Sequence, residues 1–182
     1  MREVSDKNVL NDFCTRFCDI VEKHAKYIIV SGFVAIASGR TRGTEDIDMI
    51  LERLDKPRFD ALHRDLSGNG FVCMQSGDVE VIYKDYLDHR LGVRYTDKDS
   101  FLPEMEVKFA KDVLDELQIK ERVRLPLTGL NVWFGSVEMN IAFKEMQLKS
   151  DKDMEDARHL RLAYDPDEIR ISICKKMIGD FR

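Results

Sequence analysis

The chain has 182 residues, 43% of them hydrophobic and 35% charged, which sets one compact domain, two small ones at most, with enough apolar residues for a real core. Lys and Arg number 29 against 34 Asp and Glu, a net charge of −5, and mean hydropathy is −0.36. These values exclude a protein that coats nucleic acid by bulk charge, and a membrane protein, but they allow a local basic cleft.

The start of the chain shows no apolar run behind a basic segment, and the longest mostly apolar stretch, residues 27–37, is too short to span a bilayer. Cys14, Cys18, Cys73 and Cys174 are too sparse for a disulfide scaffold. Cys14 and Cys18 stand about one helical turn apart with no second Cys/His pair at ligand spacing, and are expected as core fillers. The expected location is a reducing cytoplasm, with no membrane partner.

In chain order, Leu10, Phe13, Cys14, Phe17, Ile20 and Val21 recur at helical steps and predict a first helix over residues 6–26, capped by Ser5 or Asp6. Residues 27–30 read as a buried strand, broken by Ser31-Gly32 and followed by a short helix over 33–37. The polar run 40–45 is a loop. Ile47, Met49 and Leu51 then alternate with Asp46 and Asp48, giving a strand with one polar face.

Asp55 and Pro57 open the next helix, whose inner stripe is Phe59, Leu62, His63 and Leu66 and which ends at Gly68-Asn69-Gly70. Strands are expected at 71–74, 91–95 and 105–109, and helices at 78–89 and 112–117. Residues 123–127 and 130–134 flank Thr128-Gly129 as a hairpin, with Pro126 confining the first strand to an edge and Trp133 in the core. Ser136 caps a helix to residue 148, and Ser150 or Asp151 caps one to about 163. The segment Asp165-Pro166-Asp167-Glu168 opens a last helix with Ile169, Ile173, Met177 and Phe181 on one face. The expected fold class is α/β or α+β, with a core over 1–136 and a helical extension over 137–182 packed on it.

The chemistry concentrates in residues 30–51. A buried strand runs through Ser31-Gly32 into a helix, a turn that offers backbone N–H groups to phosphate. Asp46 and Asp48 lie two apart on a strand, so both carboxylates leave one face, and the usual stabiliser of such a pair is a divalent cation with a taste for hard oxygen ligands, such as Mg²⁺. A solvated Asp-x-Asp is the plain alternative; the turn before it makes the combination more specific. Glu104, Glu106 and Lys108 share the polar face of a later strand. Arg40 and Arg42, in the loop before Asp46, would neutralise phosphate charge or merely be solvated. Val137, Ile141, Lys144 and Leu148 fall within about 60° of helical arc, so Lys144 either snorkels or reaches a phosphate or Asp153. Asp153 and Asp156 also suit the first turn of a helix by its dipole. There is no Gly-Lys-Ser/Thr, and His24, His63, His89 and His159 show no zinc spacing.

Taken together, these residues resemble the signature of the nucleotidyltransferase superfamily related to DNA polymerase beta: a hydrophobic residue, a small-residue pair, and Asp-x-Asp after a short gap. The pair here is Ser31-Gly32 where the family has Gly-Gly or Gly-Ser. The ending Arg42-x-Thr44-x-Asp46-x-Asp48, with Lys144 on one helix and Asp153-x-x-Asp156 on the next, looks like the small prokaryotic branch that includes abortive-infection nucleotidyltransferase toxins. The resemblance covers residues 27–160. It implies a mixed twisted sheet with flanking helices, and transfer of an NMP from NTP to an acceptor hydroxyl with release of pyrophosphate. It further implies that Asp46, Asp48 and Glu106 (or Glu104 as the third carboxylate) hold two Mg²⁺ ions, with Mn²⁺ as a substitute. Ser31, Gly32, Arg42, Thr44, Lys144 and Asp153 would line the nucleotide. The acceptor is an RNA end, a protein side chain or a small molecule, and a protein partner encoded nearby would fit a toxin–antitoxin pair. The competing reading from another class is a non-catalytic nucleotide-binding or partner-binding module on the same fold.

Overall fold

The computed structural model describes the backbone of residues 2–44 and 46–182 and the side chains of residues 8–44 and 46–182. The first helix, α1 (Arg2–Val21), buries all six residues of its expected stripe. It begins before Ser5 and Asp6, so neither opens it; their side chains, and Glu45 in the expected loop, lie outside the described residues.

Strand β1 (Tyr27–Val30) runs into the short helix α2 (Gly32–Ala37), and β2 (Asp46–Leu51) follows the loop. Helix α3 (Lys56–Gly68) starts as its sequence dictates: the Asp55 side chain accepts from the Arg58 N–H at 3.0 Å, with Pro57 in the first turn. Strand β3 (Phe71–Cys73) leads to α4 (Val79–Val81), which continues through a π-helical turn, Ile82–Tyr86, and a 3₁₀ turn, Leu87–His89. The next strand, β4 (Val93–Asp97), sits two residues later than its pattern suggested, because Arg90 is left-handed and Leu91 still closes the preceding turn. Strand β5 (Glu104–Phe109) and helix α5 (Val113–Lys120) follow.

These strands form one sheet in the order β1-β2-β5-β4-β3; only the β2–β5 pair is parallel. Ile47, Met49, Leu51, Met105, Val107 and Phe109 leave one face and join α1 and α3 in the main core. On the opposite face Ile28, Ala110 and Ile119 form a smaller cluster with Val30 and Ile50 beneath α5. This second face carries the polar residues of β2 and β5.

Two expectations for residues 123–134 fail for physical reasons. The hairpin at 123–134 is reduced to single bridges of Phe134 to Val123 and to Ile29, since Pro126 lacks an N–H for a ladder and opens a 3₁₀ turn, Pro126–Thr128. Trp133 is half-buried rather than core, lying under the guanidinium groups of Arg122 and Arg124 at 4.5 and 4.0 Å.

The tail is helical: α6 (Val137–Phe143), extended by a π-helical turn, Lys144–Leu148, then α7 (Asp151–Tyr164) and α8 (Glu168–Phe181). Ser136 and Ser150 cap α6 and α7 as expected. The cap of α8 is Asp167, because Asp165 is consumed as the left-handed end of α7. Helix α8 also buries a different face. Ile171, Cys174 and Ile178 enter the protein, while Ile169, Ile173 and Phe181 are 73%, 54% and 51% exposed.

Candidate active site

Strand register builds the centre of the site. The parallel β2–β5 pairing sets Asp46 beside Glu104, Asp48 beside Glu106, and Ile50 beside Lys108. Alternate residues share a face, so all six leave the same side of the sheet. Asp48 and Glu106 line a cleft of about 450 Å³ between this face and helices α5 and α6. Asp46, at the exposed start of β2, instead lines a separate open depression with Thr44, Pro103 and Lys152. The Thr44 hydroxyl donates to the Asp46 carbonyl at 3.2 Å. Glu104 lies 3.4 Å from Arg94 Nε. The structure therefore draws Glu106, rather than Glu104, to Asp48.

Antiparallel β1–β2 pairing puts Val30 opposite Asp48, which delivers Ser31 to the same place. Ser31 and Asp48 both line the cleft. The Ser31 backbone N–H donates to Asn140 Oδ1 at 3.2 Å, so this donor of the expected phosphate cradle is already engaged. At Gly32 a Cβ would collide with Arg42 Nη2. A side chain at position 32 would have to displace the Arg42 guanidinium, which Asp156 holds.

The cleft is basic within an acidic protein. Arg90, Lys108, Lys111, Lys144 and Arg182 line it alongside Asp48, Glu106 and Asp115. Lys108 Nζ sits 2.9 Å from Glu106 Oε1, and Gly92 makes room for this pair, since a Cβ there would lie 2.7 Å from the same oxygen. Arg182 donates to Asp115 at 2.7 Å and to Asp112, and covers the Phe143 ring at 5.2 Å. Burial, and then the charge of Glu106, raise the Asp48 carboxyl above the usual carboxylate range, against the opposing pull of Lys108 and the Ser31 hydroxyl.

Asp48 and Glu106 are adjacent carboxylates opening into the cleft, a donor set that suits Mg²⁺, which binds through one or two carboxylates plus substrate phosphates rather than in a protein cage; Lys108 occupies Glu106 Oε1 in its place. Among the described residues no group of three or more His, Cys, Asp or Glu side chains is placed to hold a metal ion.

Lys144 is 1% exposed and lies 2.9 Å from Asp156 Oδ2 and 3.8 Å from Asp153 Oδ1. It is a buried cation at the cleft wall rather than a snorkelling one. Asp156, wholly buried, also receives Arg42 at 2.8 and 3.0 Å and Arg40 at 2.6 Å; Arg40 reaches Glu155 as well. Burial works against ionisation of Asp156, but Arg42 and Lys144 prevail and hold its carboxyl below the usual range. Asp153 closes the capping box of α7 with Ser150. Of the expected nucleotide residues, Ser31 and Lys144 thus face the cleft. Arg42 backs Gly32 from the Asp156 side, Thr44 accompanies Asp46, and Asp153 serves the helix end.

Lys111, Asn140 and Arg182 had no place in the sequence reading. Asn140 stands one turn before Lys144 on the same helix, a spacing that signals a shared face. Lys111 follows β5 closely after Lys108. Arg182 carries no local signal, since only the packing of α8 against α5 and α6 brings it there.

No family model matches the chain, and no curated protein matches its sequence. Solved structures do match in fold. An antigenic nucleotidyltransferase-like protein from Paracoccidioides brasiliensis superposes with a TM-score of 0.56 at 17% identity, over 98% of this chain and 89% of that one. The antibiotic-resistance factor ANT(2'')-Ia matches in its solution structure, with a TM-score of 0.54, 14% identity and 93% of each chain. A crystal structure of ANT(2'')-Ia in complex with adenylyl-2''-tobramycin gives 0.53 and 18%, over 94% of this chain and 96% of that one. The five-stranded mixed sheet with flanking helices is the fold of these nucleotidyltransferases.

Proposed function

We propose that the protein transfers an NMP from an NTP to an acceptor hydroxyl and releases pyrophosphate. The observation that carries this reading is the in-register pair Asp48–Glu106 under the Ser31 turn, at the floor of a basic cleft. A non-catalytic module has no need of a half-buried carboxylate beside a second one, an arrangement that costs stability.

In this reading Asp48 and Glu106 would hold Mg²⁺ or Mn²⁺, and Asp46, which shares their sheet face but opens into the neighbouring depression, would join them only by turning its side chain. When bound, such an ion supplies Lewis-acid stabilisation of phosphoryl oxygens and lowers the pKa of an acceptor hydroxyl. Lys108, Lys111 and Arg182 bind and orient the triphosphate from the walls, and Lys144 meets the charge that builds up as the bond to pyrophosphate breaks only by giving up its partner Asp156. Glu106 would serve either as a ligand of that ion or as the base that takes the proton of the acceptor hydroxyl, the latter once Lys108 has left its Oε1. Arg42, Thr44 and Asp153 shape the rim without direct approach to Asp48.

ANT(2'')-Ia is seen with a nucleotidylated small molecule, so a small polyhydroxylated acceptor is the first to test. RNA ends and protein side chains follow. The α6–α7 pair with Lys144 and Asp153 supports the further proposal of a place in the toxin-like branch with a protein partner. The experiment incubates the protein with Mg²⁺ and each labelled NTP, in turn with an aminoglycoside panel, total RNA and cell lysate. Label transfer that Asp48→Asn abolishes is expected. Transfer that survives this change, or no transfer with any NTP and acceptor class, overturns the reading in favour of a binding module.

A further inference from the structure

We propose that Arg40 and Arg42 are positioning residues that act on the nucleotide through Lys144: they keep Asp156 compensated, so that Lys144 can leave it for a phosphate in the cleft. This rests on the phosphate-binding part of the proposed function. It adds how a buried, paired cation becomes available there.

The Asp156 carboxylate is wholly buried and accepts from three cations among the described residues. Its Oδ1 accepts from Arg40 Nη1 at 2.6 Å and Arg42 Nε at 3.0 Å. Its Oδ2 accepts from Arg42 Nη2 at 2.8 Å and Lys144 Nζ at 2.9 Å. If Lys144 departs, both oxygens keep a donor and the negative charge keeps two positive partners. Breaking a buried pair is costly because it strands a charge; here departure of the lysine does not strand Asp156. Without Arg42, by contrast, Lys144 would be the sole donor to Oδ2 among the described residues.

The three cations differ in how readily they move. Arg42 grips both oxygens with one planar guanidinium, and Arg40 is tied to Glu155 as well. Lys144 holds Asp156 by an ammonium on a flexible four-carbon stem. Its other acid, Asp153, lies 3.8 Å away and is engaged with Ser150 in the capping box of α7. Lys144 lines the cleft, while Asp156 and its two arginines stand behind it on the side of the loop before β2. An incoming phosphate therefore meets the member of the cluster that Asp156 can spare.

A double-mutant cycle separates action through Lys144 from direct contact. Inorganic tripolyphosphate with Mg²⁺ is titrated by calorimetry into wild type, Arg42→Gln, Lys144→Met and the double variant, and the cycle is repeated with Arg40→Gln. Lys144→Met leaves Asp156 with both arginines and should bind roughly tenfold more weakly, the loss of one charge-assisted contact. Arg42→Gln should bind roughly fivefold more weakly and Arg40→Gln somewhat less so. Neither change should weaken binding further once residue 144 is changed to Met. Melting curves establish that each variant is folded; if Arg42→Gln is not, Arg40→Gln carries the cycle, since Asp156 then keeps Arg42 and Lys144. A loss that persists in the Lys144→Met background overturns the proposal, because the arginines then act on the ligand directly. Undiminished binding by the arginine variants or by Lys144→Met also overturns it, while leaving the cleft as a phosphate site. A wild type that does not bind tripolyphosphate defeats the phosphate-binding reading of the cleft and this proposal with it.

Discussion

Lys144 Nζ lies 2.9 Å from Asp156 Oδ2, an ion pair in which neither partner reaches solvent. Arg40 and Arg42 share the same carboxylate. One acidic side chain from α7 thus neutralises a cation of the cleft wall and anchors the loop that enters β2. Removing one member of a buried pair costs far more than the pair contributes, since it strands the other charges. Asp156→Asn should destabilise the protein by about 3 kcal/mol. Chemical denaturation of the variant checks this; a loss below about 1 kcal/mol would show that the cations find other partners.

Asp48→Asn should behave in the opposite way. Burial and Glu106 already disfavour the Asp48 charge, so a neutral amide leaves thermal stability unchanged or slightly raised. Nucleotidyl transfer should fall by more than the roughly 100-fold that loss of an outer-shell partner costs. Parallel melting and label-transfer assays make the comparison.

Helix α8 offers a test of which face is inside. Ile178 is buried and Ile173 is exposed. Ile178→Ala should cost about 2–4 kcal/mol through lost burial and a cavity, whereas Ile173→Ala should stay within about 0.5 kcal/mol. Equal costs in urea denaturation would mean that the exposed stripe is covered.

Glu145 carries the clearest pH signature of the helical tail. Arg161, and then Lys175, hold its carboxyl below the usual range despite partial burial. A depressed acid stabilises the fold above its unfolded pKa of about 4.3 and loses that contribution as pH falls through the folded value. Wild type should therefore lose its stability margin over Glu145→Gln as pH falls below about 4. Urea midpoints of both proteins measured from pH 7 to pH 3 should converge at the acid end; a gap that stays constant would remove Glu145 as the titrating group.

Much of the architecture is legible along the chain because it is set by local chemistry. The α1 stripe, the Asp55 and Pro57 start of α3, and the Ser136 and Ser150 caps follow from helical periodicity and from unsatisfied N–H groups at helix ends. Two of the failures share a cause, competition between neighbours. Asp165 serves the end of α7 and so cannot cap α8, and Pro126 breaks a ladder that the alternation of residues 123–134 suggested.

The sequence by itself determined the charges, the strand carrying Asp46 and Asp48, the strand carrying Glu106, and the small-residue turn at Ser31-Gly32, because periodicity and residue chemistry act over a few residues. Only the tertiary structure decided which of these meet. Register between β2 and β5 selects Glu106 over Glu104 as the partner of Asp48 and separates Asp46 into another depression. Packing of α5, α6 and α8 on that face brings Lys111, Lys144 and Arg182 over it. With Arg90 and Lys108 these cations make a basic cleft in a chain of net charge −5, although the same packing neutralises Lys144 in its buried pair with Asp156. Charge balance is a property of the whole chain, whereas the field in a site depends on which side chains the fold draws within a few ångströms of each other.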